Sequence, residues 1–321
     1  NKAAGEHDDH LGKSINSANK HLTYQYSKSE AFSPNTGKDN YVAEMVLDTD
    51  NNVWLYIYQV EGKNKRYVRG ANLGKNDFAG NKNTVIWNWE YDAMLDIAAG
   101  DMDGDGYDEI AVYSANKVFV YSYENNQLKE IATHEVLTPS SKVDTTQDQY
   151  KKFGSAIVTL AFGDLDADDK DELVIAKNMP YWSGNIENGT VGIYALENKK
   201  LEPKHDLSLQ YNNDHYAIRY VNVATGDIDG DNKDELIAAG YYSGWNNDAQ
   251  CLRNNIWYNI IKVEDGQYKN SGWKSTEFKT QDLLGRVVDN EKQLIPPVAL
   301  TCAATQGVGY AEQVFLGGCL Y

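Results

Sequence analysis

The apolar residues of this chain come in short runs bounded by polar turns, a pattern that reads as strands. Leu95–Gly100 with Glu109–Tyr113, Ile157–Gly163 with Leu173–Lys177, and Tyr220–Gly226 with Leu236–Gly240 are near-continuous apolar pairs rich in small residues. Such runs belong to strands covered on both faces. The runs that follow each pair alternate with polar residues, as half-exposed strands do: Val118–Tyr123 and Leu128–Thr133, Val191–Leu196 and Leu201–Leu207, Ile256–Val263 and Tyr268–Trp273. The chain thus divides into four-strand units at 93–135, 155–208 and 218–275. An earlier unit, 41–75, supplies Val42–Val46, Val53–Tyr58 and Arg66–Ala71 as second, third and outer strands. Asp48 and Asp50 are its turn residues, with no metal expected there. A last unit, 297–321, offers Val298–Ala303 and Glu312–Gly317. Residues 1–40 carry no repeat; His7, Asp8, Asp9 and His10 read as a solvated cluster.

Between the first and second strands of three units lies one acidic loop. Its acids are Asp101, Asp103, Asp105 and Glu109, then Asp164, Asp166, Asp168 and Glu172, then Asp227, Asp229, Asp231 and Glu235. The first acids stand at equal intervals of 63 residues, so the chain is a repeat array. Alternate acids in a tight turn converge their oxygens on one point, which suits a hard cation taking about 6–8 oxygen ligands. An EF-hand loop opens in the same way but needs a bidentate acid at its twelfth position and a helix behind it. Here that position is Val112, Ile175 or Ala238, inside an apolar run, so the EF-hand is excluded.

A strand, a nine-residue acidic loop and a second strand, repeated, resembles the FG-GAP or VCBS repeats of integrin-α-like propellers. The resemblance implies an all-β fold, a β-propeller of four-stranded antiparallel blades. It also implies that positions 1, 3, 5 and 9 give side-chain ligands while position 7 (Tyr107, Lys170, Lys233) gives a backbone carbonyl. Three Ca²⁺ per chain are then expected. The Phe-Gly of the family name survives only as Phe162-Gly163. Position 6 is Gly106, Asp169 or Asn232, the residue types that best tolerate positive φ. The fifth unit keeps only Glu312 in its loop 304–312, so no metal is expected there. About four and a half blades are visible. Propellers hold about 4–8 blades, so residues 1–40 close the ring or further blades follow in a ring of about seven.

A blade needs about 40–50 residues, so the longer period leaves room for insertions. Asn178–Gly189 and Tyr241–Asn255 lie between second and third strands and share a signature: Tyr181, Trp182 and Asn185 in one, Tyr241, Tyr242, Trp245 and Asn246 in the other. Strand alternation puts these loops on the face opposite the acid loops. With His215 from the inter-blade connection, they form a candidate patch for carbohydrate or a partner protein, an aromatic floor edged by polar groups.

Composition narrows the choice. The formal charge is −17, and the acid loops hold 16 of the 47 acids. Nothing basic enough to neutralise phosphates is present, which disfavours nucleic acid. No apolar run is long enough to span a bilayer. Cys251, Cys302 and Cys319 have no zinc-site spacing; one disulfide with a free thiol, or three thiols, are both open. Calcium loops of modest affinity fill outside the cell, so a secreted or cell-surface binding or adhesion module is expected. A polysaccharide lyase or glycosidase drawing its acids from inter-blade loops, for instance Asp144, Asp148 or Asp214, with His215 as a further candidate, is the alternative, and a purely structural segment of a larger surface protein the third reading. No P-loop, nucleophile elbow or dinucleotide fingerprint occurs.

Overall fold

The computed structural model describes residues 24–34, 40–48, 50, 52–75, 95–136, 157–178, 189–209, 216–244, 255–279, 298–303 and 312–318. Every regular element among them is a strand. The first sheet holds Tyr24–Phe32 (β1), Asn40–Asp48 (β2), Asn52–Glu61 (β3) and Asn64–Lys75 (β4), paired in that order. The second holds Leu95–Gly100 (β5), Glu109–Ser114 (β6), Lys117–Glu124 (β7) and Gln127–Glu135 (β8). The third holds Ile157–Gly163 (β9), Glu172–Asn178 (β10), Thr190–Glu197 (β11) and Lys200–Ser208 (β12). The fourth holds Tyr216–Gly226 (β13), Glu235–Gly244 (β14), Asn255–Glu264 (β15) and Gln267–Asn270 (β16), with Lys274–Lys279 (β17) also on β15. Val298–Ala303 (β18) and Gln313–Gly318 (β19) form a two-stranded sheet.

All pairings are antiparallel, and local chemistry sets the meander. The hairpin turns at Ala115-Asn116, Asn125-Asn126, Asn198-Lys199 and Asp265-Gly266 have positive φ at both central residues. That conformation matches the right-handed twist of the flanking strands, and Asn, Asp and Gly adopt it at least cost. At Asp48 the carboxylate accepts the N–H groups of Asp50 and Asn52, both at 2.9 Å, and the Trp54 indole N–H at 3.1 Å. It is a turn residue, as its setting in the sequence implies.

The core lies between sheets. Met45, Leu55 and Ile57 of the first pack on Leu95, Ile97 and Val112 of the second. Ala98, Ala111 and Val120 on the second sheet's other face meet Leu160, Leu173 and Ile175 of the third. Val174, Ala176 and Ile193 then meet Val223, Leu236 and Ile261 of the fourth. Adjacent residues such as Val174 and Ile175 therefore serve different cores, which is why their strands carry almost no polar residues. Each fully buried aliphatic side chain contributes about 1.5–3 kcal/mol. The first strands touch in the sequence β1, β5, β9, β13, β18. Four-stranded meanders stacked face to face, with their first strands side by side, are the blades of a β-propeller.

Three boundaries differ from those read in the sequence. The first blade gains β1, which falls within the segment assigned to 1–40; its Lys, Ser and Glu residues hide it from an apolar pattern. The outer strand of the fourth blade is split where Gly272 turns at φ +73. β14 continues to Gly244, pairing Tyr241 with Arg219 and Tyr242 with Ile218, so these two residues belong to a strand and not to the insertion.

Candidate metal centres

Each acidic loop joins the first and second strands of a blade, and its acids organise it. In the first loop, Asp101 Oδ1 accepts the N–H of Gly104 at 2.8 Å, and Oδ2 that of Gly106 at 2.7 Å. Asp164 takes the N–H groups of Asp168 and Asp169, both at 3.1 Å, and Asp227 those of Gly230 at 2.6 Å and Asn232 at 3.0 Å. Position 6 has positive φ in all three loops (Gly106, Asp169, Asn232), and so does position 4 (Gly104, Ala167, Gly230). Consecutive N–H groups gathered by one carboxylate bend the loop tightly enough to bring its other acids together.

The ninth-position glutamates close the sites. Glu109, Glu172 and Glu235 are 3%, 3% and 2% exposed. The Oε2 atom of each accepts the N–H of the second loop residue (Met102, Leu165, Ile228) at 3.0 Å. Carboxylate oxygens of Asp101, Asp103 and Glu109 lie within 4.8 Å of one another, as do those of Asp164, Asp166 and Glu172, and of Asp227, Asp229 and Glu235. The fifth-position acids stand outside these groups: Asp105, Asp168 and Asp231 instead accept the N–H of Tyr107, Lys170 and Lys233 at 3.0, 3.0 and 2.9 Å.

Lysines at the exposed rim compensate the clusters only in part: Lys262 Nζ lies 3.7 Å from Asp229 Oδ2 and the Lys204 charge acts on Asp166, yet the buried glutamates remain raised. Burial pushes Glu109 and Glu172 up to about 8 and Glu235 up to about 7, and the neighbouring aspartates push the same way. Burial and the Asp103 charge likewise raise Asp105. A carboxylate in such a place either takes a proton or is met by a cation. Converging donors that are all oxygen fit a hard divalent ion.

Ligand spacing leaves position 8 without a role, and the structure supplies one. Asp108, Asp171 and Asp234 donate their backbone N–H to the carbonyls of Ser33, Asp101 and Asp164 in the preceding blade, at 2.9, 2.7 and 2.9 Å. Their carboxylates return to the same residues: Ser33 N–H donates to Asp108 at 2.6 Å, Asp101 N–H to Asp171 at 2.8 Å, and the Asp164 backbone to Asp234. The glycine before each loop makes room. A Cβ on Gly100 would stand 2.5 Å from Asp171 Oδ2 and from Phe162 Cβ, and one on Gly163 2.7 Å from Asp234 Oδ2. A signal was available in the sequence, since position 8 is acidic in all three loops.

The fifth loop needs a correction. Ala303 pairs with Gln313, as Gly100 pairs with Glu109, so Gln313 and not Glu312 occupies the ninth position. Glu312 donates its N–H to the Asp227 carbonyl at 2.6 Å and is the position-8 residue. The loop is one residue longer than its sisters, and counting from its start misplaces the acid.

Of the aromatic patch, Tyr181, Trp182, Asn185, His215, Trp245 and Asn246 lie outside the described residues, as do Asp144, Asp148, Asp214 and the cluster at His7–His10. For Tyr241 and Tyr242 the backbone alone is described. The strand ends that flank the insertions, Asn178 with Thr190 and Gly244 with Asn255, lie at the far end of their strands from Glu172 and Glu235. Cys302 is a free, half-buried thiol against Gly226; Cys251 and Cys319 are outside the described residues.

The fold and its loops define the class: an all-β propeller whose blades carry acidic clusters fit for divalent cations. No protein-family model and no curated protein sequence matches the chain. Among solved structures it is similar to the exotype rhamnogalacturonan lyase YesX (TM-score 0.46, 16% identity, 90% of this chain and 54% of that one). It is also similar to the Bacillus licheniformis rhamnogalacturonan lyase PL11 (0.46, 16%, 92% and 56%) and to the Dos1 propeller (0.39, 10%, 74% and 45%). The chain spans about half the length of these structures.

Proposed function

We propose that the chain is a calcium-stabilised β-propeller of the FG-GAP or VCBS kind, serving a secreted or cell-surface protein as a binding or adhesion module. Three Ca²⁺ are held per chain, one in each intact loop. The observation that carries the reading is the threefold recurrence of a buried glutamate converging with two aspartates within 4.8 Å. Asp101, Asp103 and Glu109, with their counterparts, would hold the ion. The fifth-position aspartate would turn from its backbone N–H to join them, and the position-7 carbonyl would complete the shell. The bound ion would supply positive charge at the point where each loop's carboxylates converge. Extracellular modules of this chemistry bind in the range of about 10⁻⁴–10⁻³ M, which matches calcium outside the cell.

We assign recognition to the end of the blades opposite the acidic loops, to the insertions that follow Asn178 and Gly244 in the sequence and hold Tyr181, Trp182, Asn185, Trp245 and Asn246, together with His215 of the segment between the third and fourth blades. Carbohydrate or a partner protein is the ligand class. The test is a glycan array together with an activity panel that includes rhamnogalacturonan, run on wild type and on Trp182→Ala and Trp245→Ala, with melting temperatures alongside. Binding without turnover, lost in variants that melt normally, supports the module. Turnover would identify the polysaccharide-degrading alternative. Unchanged binding in both variants would assign those aromatics to packing.

A further inference from the structure

Position 8 lies between two metal centres. Asp171 is bonded through the chain to Glu172, the ninth-position acid of the second loop. It also grips both the N–H and the carbonyl of Asp101, the first acid of the first loop, at 2.8 and 2.7 Å. Asp234 stands in the same way between Glu235 of the third loop and Asp164 of the second. Each first acid in turn gathers the N–H groups that shape its own loop. A path of consecutive backbone contacts therefore runs from loop to loop around this face.

We propose that the position-8 carboxylates couple the cation loops in series, so that filling one loop raises the affinity of its neighbour, with Asp171 and Asp234 as positioning residues. This rests on the loops being cation sites. Ordering a loop fixes its ninth-position glutamate and the position-8 residue joined to it. That residue then holds the neighbouring first acid in place, and the neighbour has less freedom left to lose on binding. Coupling is reciprocal, and couplings between sites typically amount to about 5–150-fold in affinity. Loss of a group that orients a metal ligand typically weakens binding about 10–100-fold. The chain of contacts makes the effect nearest-neighbour: the outer loops couple to the middle one and not to each other.

The experiment is calorimetric calcium titration of the full chain in which chosen loops are disabled, with melting temperature in saturating calcium as the check on folding. Asp166→Ala should weaken both outer loops about tenfold, whereas Asp229→Ala should weaken the middle loop and leave the first unchanged. In the Asp229→Ala background, which keeps the first two loops, Asp171→Ala should lower the first loop's affinity about tenfold, and adding Asp166→Ala should lower it little further, because the coupling is already lost. Asp171→Asn should restore it, because the amide oxygen still accepts the Asp101 N–H. If wild type takes up three ions but Asp166→Ala leaves the outer affinities unchanged, or Asp171→Ala and Asp171→Asn bind alike, the coupling is overturned. If wild type takes up none, the reading of the loops as cation sites falls with it.

Discussion

Replacing Glu172 by Gln separates the shape of the buried carboxylate from its charge. The side chain is buried, and Oε2 accepts the Leu165 N–H at 3.0 Å. Burial, with the charges of Asp166, Asp168 and Asp164 added, pushes the carboxyl from an ordinary 4.5 to about 8. In chelator at neutral pH the folded chain therefore holds a proton there that the unfolded chain has released. Neutral pH lies about 2.5 pH units above the ordinary value of 4.5, and at about 1.4 kcal/mol per unit the cation-free fold loses on the order of 3 kcal/mol. The sign follows from proton counts: the penalty is absent below the ordinary value, grows as pH rises, and levels off above about 8. Gln has no proton to release. In excess chelator near neutral pH, Glu172→Gln should thus be more stable than wild type by up to about 3 kcal/mol, with the difference vanishing toward acid pH. In millimolar calcium the order should invert, because the variant lacks a ligand while wild type gains about 2.7 kcal/mol per site at a hundredfold excess over Kd. Urea unfolding across this pH range, with chelator and with calcium, reads both. A Gln variant less stable than wild type under chelator near pH 8 would refute the reasoning.

The same structure sets three further outcomes. Ala167→Gly should stabilise the chelated protein by about 0.5–1 kcal/mol, because Ala167 sits at φ 62 where its sister loops have Gly104 and Gly230; the melting temperature reads it. Gly163→Ala should cost about 1–3 kcal/mol in urea unfolding, since its Cβ would stand 2.6 Å from Thr225 Cβ and 2.7 Å from Asp234 Oδ2. Asp96→Ala should cost a similar amount, about 1–3 kcal/mol, because the Asp96 carboxylate accepts the Leu160 N–H at 2.7 Å across the junction of the second and third blades. A melting curve unchanged by either of the last two substitutions would show that these junctions do not bear on stability.

The blades were legible because their inner strands are covered on both faces. Val174 and Ile175 belong to different cores, and no polar residue can interrupt such a run without being buried. The acid clusters were legible for a different reason: the same acids recur at the same spacing in all three loops. What was not legible depended on partners remote in sequence. β1 is polar enough to pass for a tail and becomes a strand through its pairing with β2. Asp171 reads as a spare acid until the blades stack and set it against Asp101, 70 residues away. The role of Glu312 required knowing that Ala303 pairs with Gln313, which no count along the chain reveals.

The central claim is that the three acidic loops are calcium sites. Calorimetric titration of metal-free wild type with calcium, beside Asp166→Ala, tests it most directly. The account predicts three ions bound by wild type and two by the variant, which keeps its fold in saturating calcium. No heat of binding in millimolar calcium, or the same stoichiometry in both proteins, would contradict it.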